Sequence, residues 1–152
     1  MADVTKQTVK KDYIAAVGRR REARARVRLY DHVKPDMVWD KTEIKKNEMY
    51  VNAKPIAEYF GGDVSRHLYT EPFRVAGAQN KYTITIRVEG GGPAGQLDAA
   101  VLGISRALSK IDEKYHTLLK KKGFMTRDAR IRERRKVGMG GKARRKRQSP
   151  KR

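Results

Sequence analysis

From residue 23 to residue 30 the chain alternates with a period of two, with Ala23, Ala25, Val27 and Leu29 on one side and Arg24, Arg26, Arg28 and Tyr30 on the other. That period predicts a strand with an apolar face and a guanidinium face. It returns at Tyr82, Ile84, Ile86 and Val88, interleaved with Lys81, Thr83, Thr85 and Arg87, which is the clearest strand in the chain. After Gly90-Gly91-Gly92 and Pro93 the spacing changes to about 3.6, placing Leu97, Ala100, Val101, Ile104 and Leu108 on the stripe of an amphipathic helix. Ala99, Gly103 and Ala107 keep part of that helix small, so a sheet or another backbone can approach it closely. Asp112 stands as N-cap of a second helix through Tyr115, Leu118 and Leu119. Its last turn, Lys120-Lys121-Lys122, complements the helix dipole before Gly123.

The weaker signals lie between and beyond these. Val38-Trp39 and Met49-Tyr50-Val51 read as short strands joined by a charged turn at Lys45-Lys46-Asn47. Residues 54–60 read as a short helix closed by Gly61-Gly62, and a second runs from Asp63 as N-cap to about Tyr69, where Pro72 stops it. Tyr59, Phe60, Leu68 and Phe73 are assigned to the core rather than to base stacking. From Thr126 the pattern ends. Residues 130–136 have the charge for a helical turn against a partner, but Gly138, Gly140 and Gly141 break it and little remains to bury. That segment is expected to be disordered when free. Extended, residues 138–152 would span about 50 Å.

Composition sharpens the picture. The 152 residues suit one domain, with 38% hydrophobic and 36% charged positions and a formal charge of +20. The charge is partitioned: residues 1–28 hold nine Lys/Arg against three acids, residues 120–152 hold sixteen against two, and residues 29–119 hold twelve against twelve. Two basic arms on a neutral body point to a polyanion, because solubility alone needs only mixed surface charge. There is no Cys, and His32, His67 and His116 are far apart, so no disulfide, metal or cofactor site is expected. No apolar run reaches the roughly 18 residues of a membrane span, and the start lacks a secretory layout. A soluble, intracellular protein with no membrane partner is the expectation.

Three successive arginines on one strand face, preceded by Arg19-Arg20-Arg21, exceed what protection of an edge strand requires, and favour contact with RNA or DNA. The run Gly90-Gly91-Gly92-Pro93-Ala94-Gly95 fits G-x-G-x-x-G between a strand and a helix. No second strand-helix-strand half follows, and no Gly-Lys-Ser/Thr ending is present, so it reads as a tight turn whose N–H groups can approach a phosphate. A DNA-compacting protein would use the same charge but has no need of the pattern from Gly90 to Leu108, and a membrane-surface protein would want an apolar face beside its basic residues, which here stand among glycines. No nucleophile-base pair or metal cluster supports an enzyme, and no catalytic residue is assigned.

Gly90 through Gln96, followed by Ala99-Ala100, Gly103-Ile104 and Arg106-Ala107-Leu108, resembles the signature of the small-subunit ribosomal protein nine family. The resemblance extends from about Tyr13 to Arg152. It takes in Gly18-Arg19-Arg20-Arg21, Ala25-Arg26-Val27, Tyr59-Phe60, the run from Gly123 to Asp128, Glu133-Arg134-Arg135-Lys136, Ala143-Arg144-Arg145 and the ending Ser149-Pro150-Lys151-Arg152. The Lys-Arg ending is similar to the bacterial and organellar branch. Val137-Gly138-Met139-Gly140-Gly141 departs from the family, which often has Tyr-Gly-Leu-Lys there.

The resemblance implies an α+β two-layer sandwich of the ribosomal protein five second-domain type, a sheet backed by helices with a left-handed crossover, plus a long basic C-terminal tail that is disordered when free. Residues 1–12 would be a basic extension, 13–125 the globular domain and 126–152 the tail. It also implies a ribosomal, cytoplasmic protein in the head of the small subunit, contacting ribosomal RNA and neighbouring ribosomal proteins, its tail reaching the anticodon stem-loop of peptidyl-site transfer RNA. Lys151 and Arg152 are the candidates for that contact. Candidates for ribosomal RNA are Arg19, Arg20, Arg21, Arg24, Arg26, Arg28, Gly90, Gly91, Gly92, Gln96, Lys120, Lys121, Lys122, Arg127, Arg130, Arg134, Arg135, Lys136, Lys142, Arg144, Arg145, Lys146 and Arg147.

Overall fold

A computed structural model describes residues 13–31, 38–39 and 42–137. Its main sheet has the order β1-β2-β7-β5-β6. The strands are β1 (Ile14–Arg20), β2 (Ala23–Tyr30), β5 (Met49–Val51), β6 (Lys54–Pro55) and β7 (Thr83–Glu89). β3 (Val38–Trp39) and β4 (Thr42–Glu43) form a separate two-stranded ladder. The helices are α1 (Ile56–Tyr59), α2 (Asp63–Ala76), α3 (Pro93–Leu108) and α4 (Glu113–Lys121). One face of the sheet packs on α3, and no described helix is long and apolar enough to cross a membrane.

β2 buries Ala23, Ala25, Val27 and Leu29 and exposes Arg24, Arg26 and Arg28, as its period predicts. Tyr30 departs from the pattern. It shares the arginine side but is 3% exposed, because the Tyr13 ring packs on it at 5.6 Å. β7 is buried on both faces at Thr83 and Thr85, where Asn47 N–H donates to Thr83 Oγ1 at 2.7 Å. β1 has no alternation to announce it, since Ile14-Ala15-Ala16-Val17-Gly18 is apolar or small throughout.

The close approach foreseen for α3 is real. A Cβ on Gly103 would lie 2.6 Å from Val27 Cγ2, and one on Gly18 would meet the carbonyl oxygen of Ala99 and, at 2.5 Å, the amide of Gly103. Two glycines facing each other thus let β1 lie against the backbone of α3. Leu29, Ile84, Ile86, Ile104, Leu108 and Leu119 fill the layer, each contributing roughly 1.5–3 kcal/mol on burial.

Several expectations are corrected. Val38-Trp39 pairs with Thr42-Glu43, whereas Met49–Val51 enters the main sheet parallel to β7. Residues 54–60 do not form one helix. Asn52 and Ala53, at φ 47° and 64°, make a two-residue turn of the type I′ kind, so Lys54–Pro55 returns as a strand and only Ile56–Tyr59 is helical. Pro72 does not end α2, which begins at Asp63 after Gly62 and runs to Ala76. The lost backbone bond costs up to about 3 kcal/mol. Burial of Pro72, Phe73 and Ala76 offsets it, and Gly77, left-handed at φ 63°, closes the helix as its N–H donates to Arg74 O and that of Ala78 to Phe73 O. Leu68, assigned to the core, is 44% exposed, while Phe60 and Phe73 are buried. Asp112 caps α4 as foreseen, its Oδ1 accepting from Lys114 N–H at 2.9 Å.

Candidate nucleic-acid interface

The sheet face turned away from α3 is an arginine surface. Register sets Arg19 opposite Arg24 and Val17 opposite Arg26 across β1 and β2, then Arg24 opposite Glu89 and Arg26 opposite Arg87 across β2 and β7. Like charges directly opposite destabilise a sheet. Arg87 has Glu89 at 3.3 Å and Arg28 lies 5.0 Å from the centre of the Tyr13 ring, but Arg19, Arg24 and Arg26 make no ion pair among the described residues. That face therefore presents three guanidiniums that pair with no carboxylate among the described residues. Arg21 joins them at the β1–β2 turn, exposed and at φ 51°, a region where glycine is the usual occupant.

Arg20 is not on that surface. Strand parity turns it to the α3 side, where it is 8% exposed. Its guanidinium donates to the backbone carbonyls of Arg130 at 2.7 Å and Asp128 at 3.3 Å, and lies 2.8 Å from the Asp128 carboxylate and 3.5 Å from that of Asp98. Arg130 completes the cluster by forking onto Asp128, at 2.7 Å through Nη2 and 3.1 Å through Nε. The Arg130 guanidinium, then its backbone N–H, hold the Asp128 carboxyl well below the usual carboxylate range. Two expected RNA contacts are therefore partly spent inside the chain.

The glycine loop joins β7 to α3. Gly90 and Gly91 are left-handed at φ 72° and 64°, and a Cβ at Gly90 would lie 2.7 Å from the Glu22 carbonyl oxygen. α3 then begins at Pro93 without a side-chain cap and without an acid in its first turn. The open helix end lines a cleft of about 630 Å³ with Arg20, Arg21, Ile131 and Arg132. Gln96 is engaged inside the chain: its Oε1 accepts from Tyr59 Oη at 2.9 Å and its Nε2 donates to Gly90 O at 3.1 Å. The chain after α3 passes into α4, not into a further strand, so no dinucleotide half-fold forms.

Sequence reasoning missed Asn52. Its side-chain amide donates to Val88 O at 3.1 Å and accepts from Val88 N–H at 2.9 Å, extending the parallel ladder past the end of β5, and it also donates to Tyr59 Oη at 3.3 Å. The signal available was Asn at a left-handed turn position. Lys120 and Lys121 end α4, Lys122 caps it, and all three are exposed, as are Arg127, Arg134, Arg135 and Lys136. Lys142, Arg144, Arg145, Lys146, Arg147, Lys151 and Arg152 lie outside the described residues. Among the described residues no His/Cys/Asp/Glu group could hold a metal.

The family model for ribosomal protein S9/S16 matches residues 18–152. The small ribosomal subunit protein uS9 of Leifsonia xyli subsp. xyli is 43% identical over 126 residues, covering 82% of this chain and 67% of that protein. That of an Arthrobacter species is 41% identical over 139 residues, covering 91% and 74%. That of Maridesulfovibrio salexigens is 38% identical over 131 residues, covering 86% and 91%.

Proposed function

The chain belongs to the ribosomal protein S9/S16 family, and from that premise we propose how its basic surfaces divide the work. Membership makes it a structural, non-enzymatic constituent of the small ribosomal subunit, an RNA-binding partner of ribosomal RNA and of other ribosomal proteins in translation. The finer reading is that the body docks in the subunit head through the arginine face of its sheet, while the tail acquires order on RNA. Its tip, Lys151 and Arg152, holds the backbone of peptidyl-site transfer RNA independently of the codon. The fold type implied by the resemblance, the left-handed crossover, the division at residues 12 and 125 and the cytoplasmic setting belong to the same reading.

One observation carries the docking mode: Arg19 is registered against Arg24 and Arg26 against Arg87, and Arg19, Arg24 and Arg26 make no ion pair among the described residues. Each guanidinium offers a planar fork for two phosphate oxygens and a face that stacks on an unpaired base. Phosphate contacts release condensed counterions, which supplies affinity and makes it salt-dependent. The glycine loop and the open start of α3 add N–H donors to the same class of ligand.

Sedimentation of extracts carrying the R19Q/R24Q/R26Q variant tests this. The wild-type chain should co-migrate with small subunits at physiological salt and the variant should shift toward the top of the gradient. Undiminished co-migration of a folded variant would refute the arginine-face reading. For the tail, deleting Lys151 and Arg152 should weaken retention of peptidyl-site transfer RNA while assembly continues. Unchanged affinity and frame maintenance would refute that part.

A further inference from the structure

β1 is the edge of the main sheet, and an exposed edge ordinarily invites another strand. This one is occupied from the side. Arg106, in the last turn of α3, donates through Nη1 to Val17 O at 2.9 Å, and Lys110, in the turn just after α3, donates through Nζ to Ala15 O at 2.7 Å. In an antiparallel pair, residues alternate between positions that exchange both backbone bonds with the partner strand and positions that exchange neither. The carbonyls of Ala15 and Val17 accept from the Lys110 and Arg106 side chains, so the backbone groups of both residues face away from β2, and their N–H groups open to the same side. Ala15, Val17, Arg106, Ser109 and Lys110 line a cleft of about 450 Å³ there.

The hydrogen-bonding character of that cleft is one-sided. Its Ala15 and Val17 acceptors are already engaged, while among the described residues the N–H groups, the remaining guanidinium donors and two of the three ammonium donors are unspent. Neither Arg106 nor Lys110 has an ion pair among the described residues. A carbonyl anchor holds each cation in place without neutralising it, so less side-chain freedom is lost on binding. An incoming peptide strand needs alternating acceptors and donors and would have to expel both side chains. A phosphodiester backbone offers acceptors and negative charge only.

We infer that the β1 edge, fitted with Arg106 from α3 and Lys110 from the turn after it, is a second phosphate-binding groove, separate from the arginine face, that takes a run of ribosomal RNA backbone. It rests on the reading of the protein as a binder of ribosomal RNA. Full-length protein binding to deproteinised small-subunit ribosomal RNA should lose about 2 from its log-log salt slope in the R106Q/K110Q double variant, about 1 for each lost phosphate contact, with little loss in R106K. An unchanged slope in a variant whose circular dichroism and thermal midpoint match the wild type would overturn the groove. A wild-type slope near zero would instead sink the RNA-binding reading itself. A second measurement leaves both cations intact. The chain has no cysteine, so S109C places a unique thiol in the cleft that Arg106 and Lys110 line. An iron chelate tethered there should cleave a short run of ribosomal RNA in assembled small subunits. Absence of cleavage, or cross-linking from the same thiol to a protein neighbour alone, would overturn the proposal.

Discussion

The guanidinium of Arg20 donates to the backbone carbonyl of Arg130 at 2.7 Å, joining residues 110 apart in sequence. With Phe124 and Met125 packed against the core, this contact fixes where the C-terminal basic segment leaves the body. R20A leaves the two carbonyls without their guanidinium donor and removes one of the two cations on Asp128, which keeps the Arg130 fork. The expected cost is about 1–2 kcal/mol, at the low end for such a strut because Asp98 is more than half exposed. R20K should recover less than half of it, since one ammonium cannot reach all the acceptors. Urea denaturation measures the loss, and faster tryptic cleavage after Arg127 and Arg130 would report the local release.

Asp128 sets the pH range of that cluster. Its folded carboxyl titrates below the ordinary value of about 3.9, so its contribution to stability is complete above that value and is lost as pH falls through the lower, folded one. From neutrality down to pH 4 the Arg20–Asp128–Arg130 contacts should therefore be insensitive to pH. Carboxyl chemical shifts followed in acid would check this, and an Asp128 that titrates at the ordinary value would contradict it. D128N should leave stability with less acid dependence than the wild type.

Gly18 and Gly103 are where backbone meets backbone. G18A drives a methyl group into the Ala99 carbonyl, which cannot move without separating β1 from α3, and should cost about 3 kcal/mol. G103A meets a methyl of Val27 at 2.6 Å and the Gly18 nitrogen at 3.2 Å; the methyl must shift but is less fixed than a carbonyl, and the change should cost about 1–2 kcal/mol. The two midpoints of denaturant unfolding should differ in that order, with unchanged m values.

The elements that the pattern of residues revealed are those that carry a periodic apolar face: β2, β7, α3 and α4 all show their period in the chain. β1 stayed hidden because both of its faces are small or apolar, and its position follows from the Gly18 contact with α3, which is tertiary. α2 looked shorter than it is because Pro72 is a local signal, whereas the burial of Phe73 and the closure at Gly77 that outweigh it are not. Arg24, Arg26 and Arg28 were readable as a surface from their alternation. That Arg20 turns inward depends on parity within β1, and the use of Gln96 depends on Tyr59, 37 residues away.

Arg26 links stability and function with opposite signs. R26T removes the like-charge pair with Arg87 and places a β-branched residue on a strand, so the free protein should gain about 0.2–1 kcal/mol. The same change should weaken binding to ribosomal RNA and lower the salt slope by about 1. A variant both less stable and equally tight in binding would show that the arginine serves the fold.

The most direct test of the whole is the affinity of the full chain for small-subunit ribosomal RNA measured across salt concentration. If about ten phosphates are neutralised, the logarithm of the binding constant should fall against the logarithm of salt with a slope of roughly −7 to −9. A slope close to zero would contradict docking through unneutralised arginines.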